Sequence, residues 1–307
     1  MDETRDFSPV DDEILGGADS TASQGPSKPP AGLYLVATPI GNMADITLRA
    51  LDLLRAADAI ACEDSRVTLK LLQRYGIKAR LIAYHDHNGA EARPDILRRL
   101  EAGQVVALVS DAGTPLISDP GYKLVRAVVE AGHHVTALPG PSAVLAALSL
   151  AGLPTDRFLF GGFLPPRSEA RRKALAELKA VPATLVFLEG VSRLPEALAD
   201  MAETLGGTRG AAVARELTKL FETVRRGTLA ELAALYGREG PPKGEVVVVV
   251  GPPAEEAMGE GDLDAALTAA LAHSSLREAA AAVAAATGLP RRQVYARALA
   301  LKAGEIG

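Results

Sequence analysis

Five short apolar runs, at 33–38, 59–63, 80–83, 105–110 and 135–138, alternate with stretches of helical periodicity. The fourth, opening Val105-Val106-Ala107-Leu108-Val109, leaves no polar side to face water. A strand that is apolar on both faces needs cover on both, and helices between successive strands supply it. The pattern predicts an α/β unit over residues 32–152 built on a largely parallel sheet.

A second block, 153–252, repeats the style without repeating the sequence. It has strands at 158–160, 184–188, 211–214 and 245–250, helices between most of them, and a hairpin around 218–221. A second α/β domain is expected there. Residues 1–31 lack a hydrophobic period and end in a run rich in Ser, Pro and Gly, the composition of a disordered leader. The Gly/Glu-rich segment 253–262 reads as a linker. In the remainder, 263–307, Ser275 and Glu278 form a capping box before an alanine-rich helix that stops at Gly288. Pro290 then stands at the tolerated first position of another helix. Two helices around a short turn resemble a helix-turn-helix, and helical hairpins are also common packing units.

With 307 residues the chain can bury two cores of ordinary size. No apolar stretch approaches the roughly 18 residues of a membrane span, so no membrane partner is expected. The start is acidic, without a basic-then-apolar signal, and the single cysteine, Cys62, excludes an internal disulfide and a cysteine-rich zinc site. A cytoplasmic protein with no metal ligand set fits these features. A net charge of −5 means that any attraction to nucleic acid must be local. Two basic clusters offer it: Arg167, Arg171, Arg172 and Lys173, and Arg291, Arg292, Arg297 and Lys302. Each is open to two readings, an RNA contact or a solvated helix face.

Three loops follow strand carboxyl ends, where open α/β sheets hold ligands. They are Thr38-Pro39-Ile40-Gly41-Asn42, the segment 110–121 with Asp111, Gly113 and Thr114, and Pro139-Gly140-Pro141-Ser142-Ala143. None matches the G-x-G-x-x-G or G-x-x-x-x-G-K-[ST] fingerprints, and none carries a Lys or Arg for a triphosphate. Backbone groups, small side chains and one carboxylate suit a neutral or zwitterionic nucleoside derivative, of which S-adenosylmethionine is an example.

These loops, together with Glu63-Asp64-Ser65-Arg66, Tyr84-His85-Asp86-His87-Asn88 and Ala214-Arg215-Glu216-Leu217-Thr218-Lys219, closely resemble the ribosomal RNA small subunit methyltransferase I family of the tetrapyrrole methylase superfamily. The likeness runs from about Gly32 to Gly251, and the helical pair resembles that family's appended helix-turn-helix. It implies two α/β domains of tetrapyrrole-methylase type with a cofactor cleft between them, plus a small helical domain. It further implies 2′-O-methylation of a decoding-region cytidine in 16S ribosomal RNA, with S-adenosyl-L-methionine as cofactor and a homodimer as the working form. The cofactor-binding positions expected are Thr38, Pro39, Gly41, Asp111, Gly113, Thr114, Pro139, Gly140, Ser142 and Ala143. RNA contacts are expected from Arg171, Arg172, Arg291, Arg292 and Arg297. Ser65 stands where the family has Thr, and Leu188-Glu189-Gly190-Val191-Ser192-Arg193 keeps only Glu189 and Arg193 of the usual motif.

Taking a proton from a ribose hydroxyl needs a carboxylate or histidine beside it. Glu63, Asp64 and His87 are the catalytic candidates, with His85 and Asp86 nearby and Arg66 placed to hold a phosphate. Asp64 or Ser65 as a helix N-cap, with Arg66 a surface charge, is the competing reading. Two other functions stand as alternatives: a methylase of a tetrapyrrole or protein side chain, and a non-catalytic RNA-binding protein.

Overall fold

The computed structural model describes residues 28–85, 88–253, 260–287 and 289–304. Most of the expected leader, His87, the middle of the expected linker and Gly288 lie outside the described residues. Contacts divide the chain into two compact units, one holding Met43–Pro141 and the chain up to Pro39, the other Ile40–Asn42 and Ser142–Gly307.

The first unit runs β1 (Gly32–Val36), α1 (Leu48–Ala56), β2 (Ala59–Cys62), α2 (Ser65–Arg74), β3 (Leu81–Ala83), α3 (Gly89–Glu101), β4 (Val105–Val109), α4 (Tyr122–Glu130) and β5 (Val135–Leu138). Its five strands are all parallel, in the order β3-β2-β4-β1-β5. The pleat explains why the runs are apolar throughout. Along β4, Val105, Ala107 and Val109 pack with Leu54 of α1 and Leu72 of α2. Val106 and Leu108 face the other way, onto Ile96 and Leu100 of α3 and Leu124 and Val128 of α4. From β1 the winding moves toward β2 and β3, whereas the last crossover carries β4 past β1 to β5. The reversal falls around β1, the kind of switch point where open sheets bind ligands. Ahead of β1, Lys28 Nζ donates to Asp58 Oδ1 at 2.9 Å and the Tyr34 hydroxyl donates to the Pro30 carbonyl at 2.8 Å. The last residues of the expected leader are therefore anchored.

The second unit contains α5 (Ala143–Ala151), β6 (Phe158–Phe163), α6 (Ser168–Leu178), β7 (Thr184–Glu189), α7 (Leu194–Leu205), β8 (Gly210–Arg215), β9 (Thr223–Thr228), α8 (Leu229–Glu239) and β10 (Val246–Val250). Its sheet, β6-β7-β10-β8-β9, is parallel only between β6 and β7. Helix α5 covers one face with Val144, Ala147 and Leu148 on Val186, Ala212 and Val249. Helices α6, α7 and α8 cover the other, where Leu175, Met201 and Leu232 meet Phe187, Val213 and Val248. Because α5 packs on this sheet, the second unit starts at Ser142 and not at 153. The hairpin near 218–221 is present, joining β8 to β9.

The tail comprises α9 (Glu260–Leu271), α10 (Leu276–Thr287) and α11 (Arg291–Ala303), whose core is Leu263, Leu267, Ala280, Val283, Val294 and Ala298. Helix α9 takes in residues 260–262, the end of the expected linker. The capping box forms: Glu278 N donates to Ser275 Oγ and Ser275 N donates to Glu278 Oε2. Among the described residues no helix is long and apolar enough to cross a membrane.

Candidate active site

In a parallel sheet every strand ends at the same edge, so the loops after β1, β2, β4 and β5 of the first unit emerge together. Thr38 and Gly113 exchange backbone hydrogen bonds at 2.9 and 3.0 Å, and the buried Thr38 hydroxyl donates to the Ser110 carbonyl at 3.1 Å. The Thr114 hydroxyl donates to the Pro141 carbonyl at 3.2 Å, tying the β4 loop to the β5 loop. Asp111 Oδ1 accepts from Asp64 N at 3.0 Å and fastens the β2 loop to the same cluster. Gly140 is required by proximity, since a Cβ there would stand 2.9 Å from the Ala37 Cβ. Between Gly113 and Gly121 the backbone turns through left-handed conformations at Leu116 (φ 73°) and Ser118 (φ 65°). Such positions cost free energy for residues with side chains and concentrate at functional loops.

The electrostatics of this edge are acidic. Among the described residues no salt bridge reaches Asp111, although the Arg66 charge lies near enough to feel it. Burial pushes the Asp119 carboxyl up, against the pull of the Ser110 hydroxyl, and the Asp111 charge adds to the rise. Burial likewise raises the Cys62 thiol, the Asp111 and Asp64 charges add to the rise, and the nearby Thr68 hydroxyl opposes it. The edge thus presents carboxylates and carbonyl oxygens, and its loops contain no Lys or Arg.

Asp64 caps α2, its Oδ1 accepting from Arg66 N at 2.8 Å, while the Arg66 guanidinium donates to Oδ2 at 2.6 Å. These bonds hold the carboxyl down at about 2, led by the Arg66 side chain. A depressed carboxyl stabilises the fold above its ordinary value of 3.8 and loses that contribution as pH falls through 2. A carbon-detected NMR titration is expected to give Asp64 a midpoint near pH 2, moving toward 3.8 in Arg66→Ala. A wild-type midpoint near 3.8 would mean that the ion pair does not form in solution.

Residues 32–233 match the family described as Tetrapyrrole (Corrin/Porphyrin) Methylases, and residues 257–302 match the RsmI C-terminal HTH domain. The "Ribosomal RNA small subunit methyltransferase I" of Mesorhizobium japonicum is 54% identical over 270 residues, 88% of this chain and 92% of the relative. The chain belongs to this family. The proteins of the same name from Erythrobacter litoralis and Escherichia coli O157:H7 are 53% and 49% identical, over 88% and 87% of this chain and 95% and 94% of their own lengths. Among solved structures, diphthine synthase superposes with TM-score 0.56 at 19% identity, covering 71% of this chain and 89% of its own. A uroporphyrin-III-C-methyltransferase from Thermus thermophilus superposes with 0.52 at 24%, covering 72% and 94%. Both place the fold.

In this member of the methyltransferase I family, Thr38, Pro39, Asp111, Gly113, Thr114, Pro139 and Gly140 gather in the first unit, as do Glu63, Asp64 and Arg66. Gly41, Ser142 and Ala143 fall in the second. There Ser142 caps α5, and a Cβ on Gly41 would strike Lys219 Cγ at 2.5 Å. Asp64 makes the helix cap of the competing reading, and Arg66 pairs with it. A carboxyl near 2 is a poor proton acceptor, and the Arg66 guanidinium, though paired with Asp64, stays mostly exposed with one terminal nitrogen unused by that pair.

Two expected RNA contacts need correction. Arg171 is fully buried, with its Nε donating to Asp200 Oδ2 at 2.7 Å, so its charge cannot reach a phosphate. Arg297 turns inward to hold Asp264 through Nε and a terminal nitrogen, both at 2.7 Å. Arg172 is half-exposed and donates to Glu203 at 2.8 Å. Arg291 and Arg292 stand exposed at the start of α11. The sequence reading missed Asp119 because an acid amid Gly, Ser and Pro reads as turn chemistry. Its nearness to Asp111 and Ser110 depends on how the loop folds back.

Proposed function

We propose that this chain methylates the 2′-hydroxyl of a cytidine ribose in the decoding region of 16S ribosomal RNA, using S-adenosyl-L-methionine, in the cytoplasm and as a homodimer. The observation that carries the reading is membership of the ribosomal RNA small subunit methyltransferase I family over nearly the whole chain. The donor set at the sheet edge fits the cofactor. Asp111 and the carbonyl oxygens of the loops can accept from an ammonium, ribose hydroxyls and an adenine amine, and they suit a cationic ligand. Asp111, Gly113, Thr114, Pro139 and Gly140 would hold it. When bound it supplies a methyl group on a sulfonium, whose leaving group is a neutral thioether.

The chain has to align the ribose oxygen, exclude water and take one proton. The hydroxyl proton would pass to a protein base as the oxygen takes the methyl group that the bound cofactor would supply. Asp64 is too acidic for that task. Glu63, half-buried at the carboxyl end of β2, is the carboxylate assigned to it. Glu63→Gln is expected to lower kcat by about 10²–10⁴-fold, the usual contribution of a general base, and to leave cofactor affinity within about twofold. Single-turnover transfer beside calorimetric cofactor titration measures both. Near-normal transfer by Glu63→Gln would remove Glu63 from the role.

A further inference from the structure

Residues 65–85 contain five cations, Arg66, Lys70, Arg74, Lys78 and Arg80, and no Asp or Glu, in a chain whose net charge is −5. All five are exposed. Arg66, Lys70 and Arg74 recur every four residues along α2, so they share one face. Thr68, Leu71 and Leu72 turn the opposite face into the first unit. Like charges at this spacing destabilise an isolated helix.

Four arginines of the neighbouring helices pair with carboxylates of their own helix, while Arg49 of α1 and Arg93 of α3 form no salt bridge among the described residues. In α1, Arg55 pairs with Asp52; in α3, Arg98 and Arg99 pair with Asp95; in α4, Arg126 pairs with Glu130. Among the described residues no salt bridge reaches Lys70, Arg74 or Lys78. The stripe also begins at a telling place. Helix α2 leaves the carboxyl edge of the sheet at Asp64, whose N–H donates to Asp111.

We infer that the outer face of α2, through Lys70 and Arg74, together with the exposed Lys78 in the segment that follows the helix, is a track for the phosphate backbone of the RNA substrate, leading from the candidate active site. This rests on the ribosomal RNA reading above. Backbone phosphates complement a row of unneutralised cations and carry no sequence information, so the track positions the strand and does not select the base. It supplies a phosphate-binding surface that Arg171 and Arg297, both turned inward, do not.

The test uses the full-length protein, with retention of 16S RNA and of intact small subunits followed at several salt concentrations. For Lys70→Ala/Arg74→Ala the slope of log affinity against log salt is expected to flatten by about 1.4–1.8, for two lost phosphate contacts. Affinity at low salt should fall at least tenfold, while the thermal midpoint and cofactor affinity stay at wild-type values. The charge-retaining Lys70→Arg/Arg74→Lys variant should bind as wild type does. An unchanged slope in the alanine variant, with RNA retained by the wild type, would overturn this track alone. Failure of the wild-type protein to retain either RNA would overturn the ribosomal reading and the track with it.

Discussion

Replacing Asp200 with alanine is expected to destabilise the second unit by about 3–5 kcal/mol, the cost of leaving a buried charge without its partner. The Arg171 side chain is 1% exposed and that of Asp200 10%, and they meet at 2.7 Å. Ser168 Oγ donates to the other Asp200 oxygen at 2.9 Å, so the carboxylate also joins the start of α6 to α7. Glu196, 3.9 Å from the guanidinium and mostly exposed, cannot take over. In urea the midpoint should fall with the slope unchanged. Arg171→Met/Asp200→Leu, which removes both charges and keeps the volume apolar, should recover most of the loss. A single-variant cost below about 1 kcal/mol would mean that water or another group relieves the arginine.

The second large effect is expected at Asp111. Asparagine keeps the oxygen that accepts from Asp64 N and removes the negative charge, so the loops stay tied while attraction for a cationic ligand is lost. A hydrogen bond to a charged group contributes about 1.5–3 kcal/mol, which corresponds to a loss of cofactor affinity of about 10- to 150-fold. Calorimetry should record that loss with the thermal midpoint of the free protein nearly unchanged. Equal affinity in Asp111→Asn would place the ammonium and ribose of the cofactor against other groups.

The first sheet was legible because burial on both faces leaves an unmistakable record, unbroken apolar strands between helical periods. The second was less so. Strand β9, Thr223–Thr228, is an edge strand with Arg225 and Arg226 in its middle, and a half-wetted edge leaves no apolar run to find. Helix α5 reads from sequence as the end of the first domain. Which sheet a helix covers is decided by packing, and Val144, Ala147 and Leu148 carry no mark of their partner.

At the site, glycine and proline marked the loops, since close approach leaves few alternatives at Gly140 beside Ala37. The direction of a charged side chain was not legible. Arg171 and Arg172 are adjacent in sequence, yet one is buried against Asp200 and the other lies half-exposed beside Glu203. Likewise Arg292 points outward from α11 while Arg297 closes on Asp264, because Val294 and Ala298 fix which side of the helix faces the core.

The most direct test of the whole reading is methyl transfer itself. Purified protein, labelled S-adenosylmethionine and small subunits from cells lacking this gene are incubated together, and the RNA is mapped for protection from alkaline cleavage. One protected cytidine in the decoding region, absent from subunits incubated without the protein, is the expected result. No label in subunits or in their extracted RNA, from protein that binds the cofactor, would contradict the ribosomal assignment and point to a smaller acceptor.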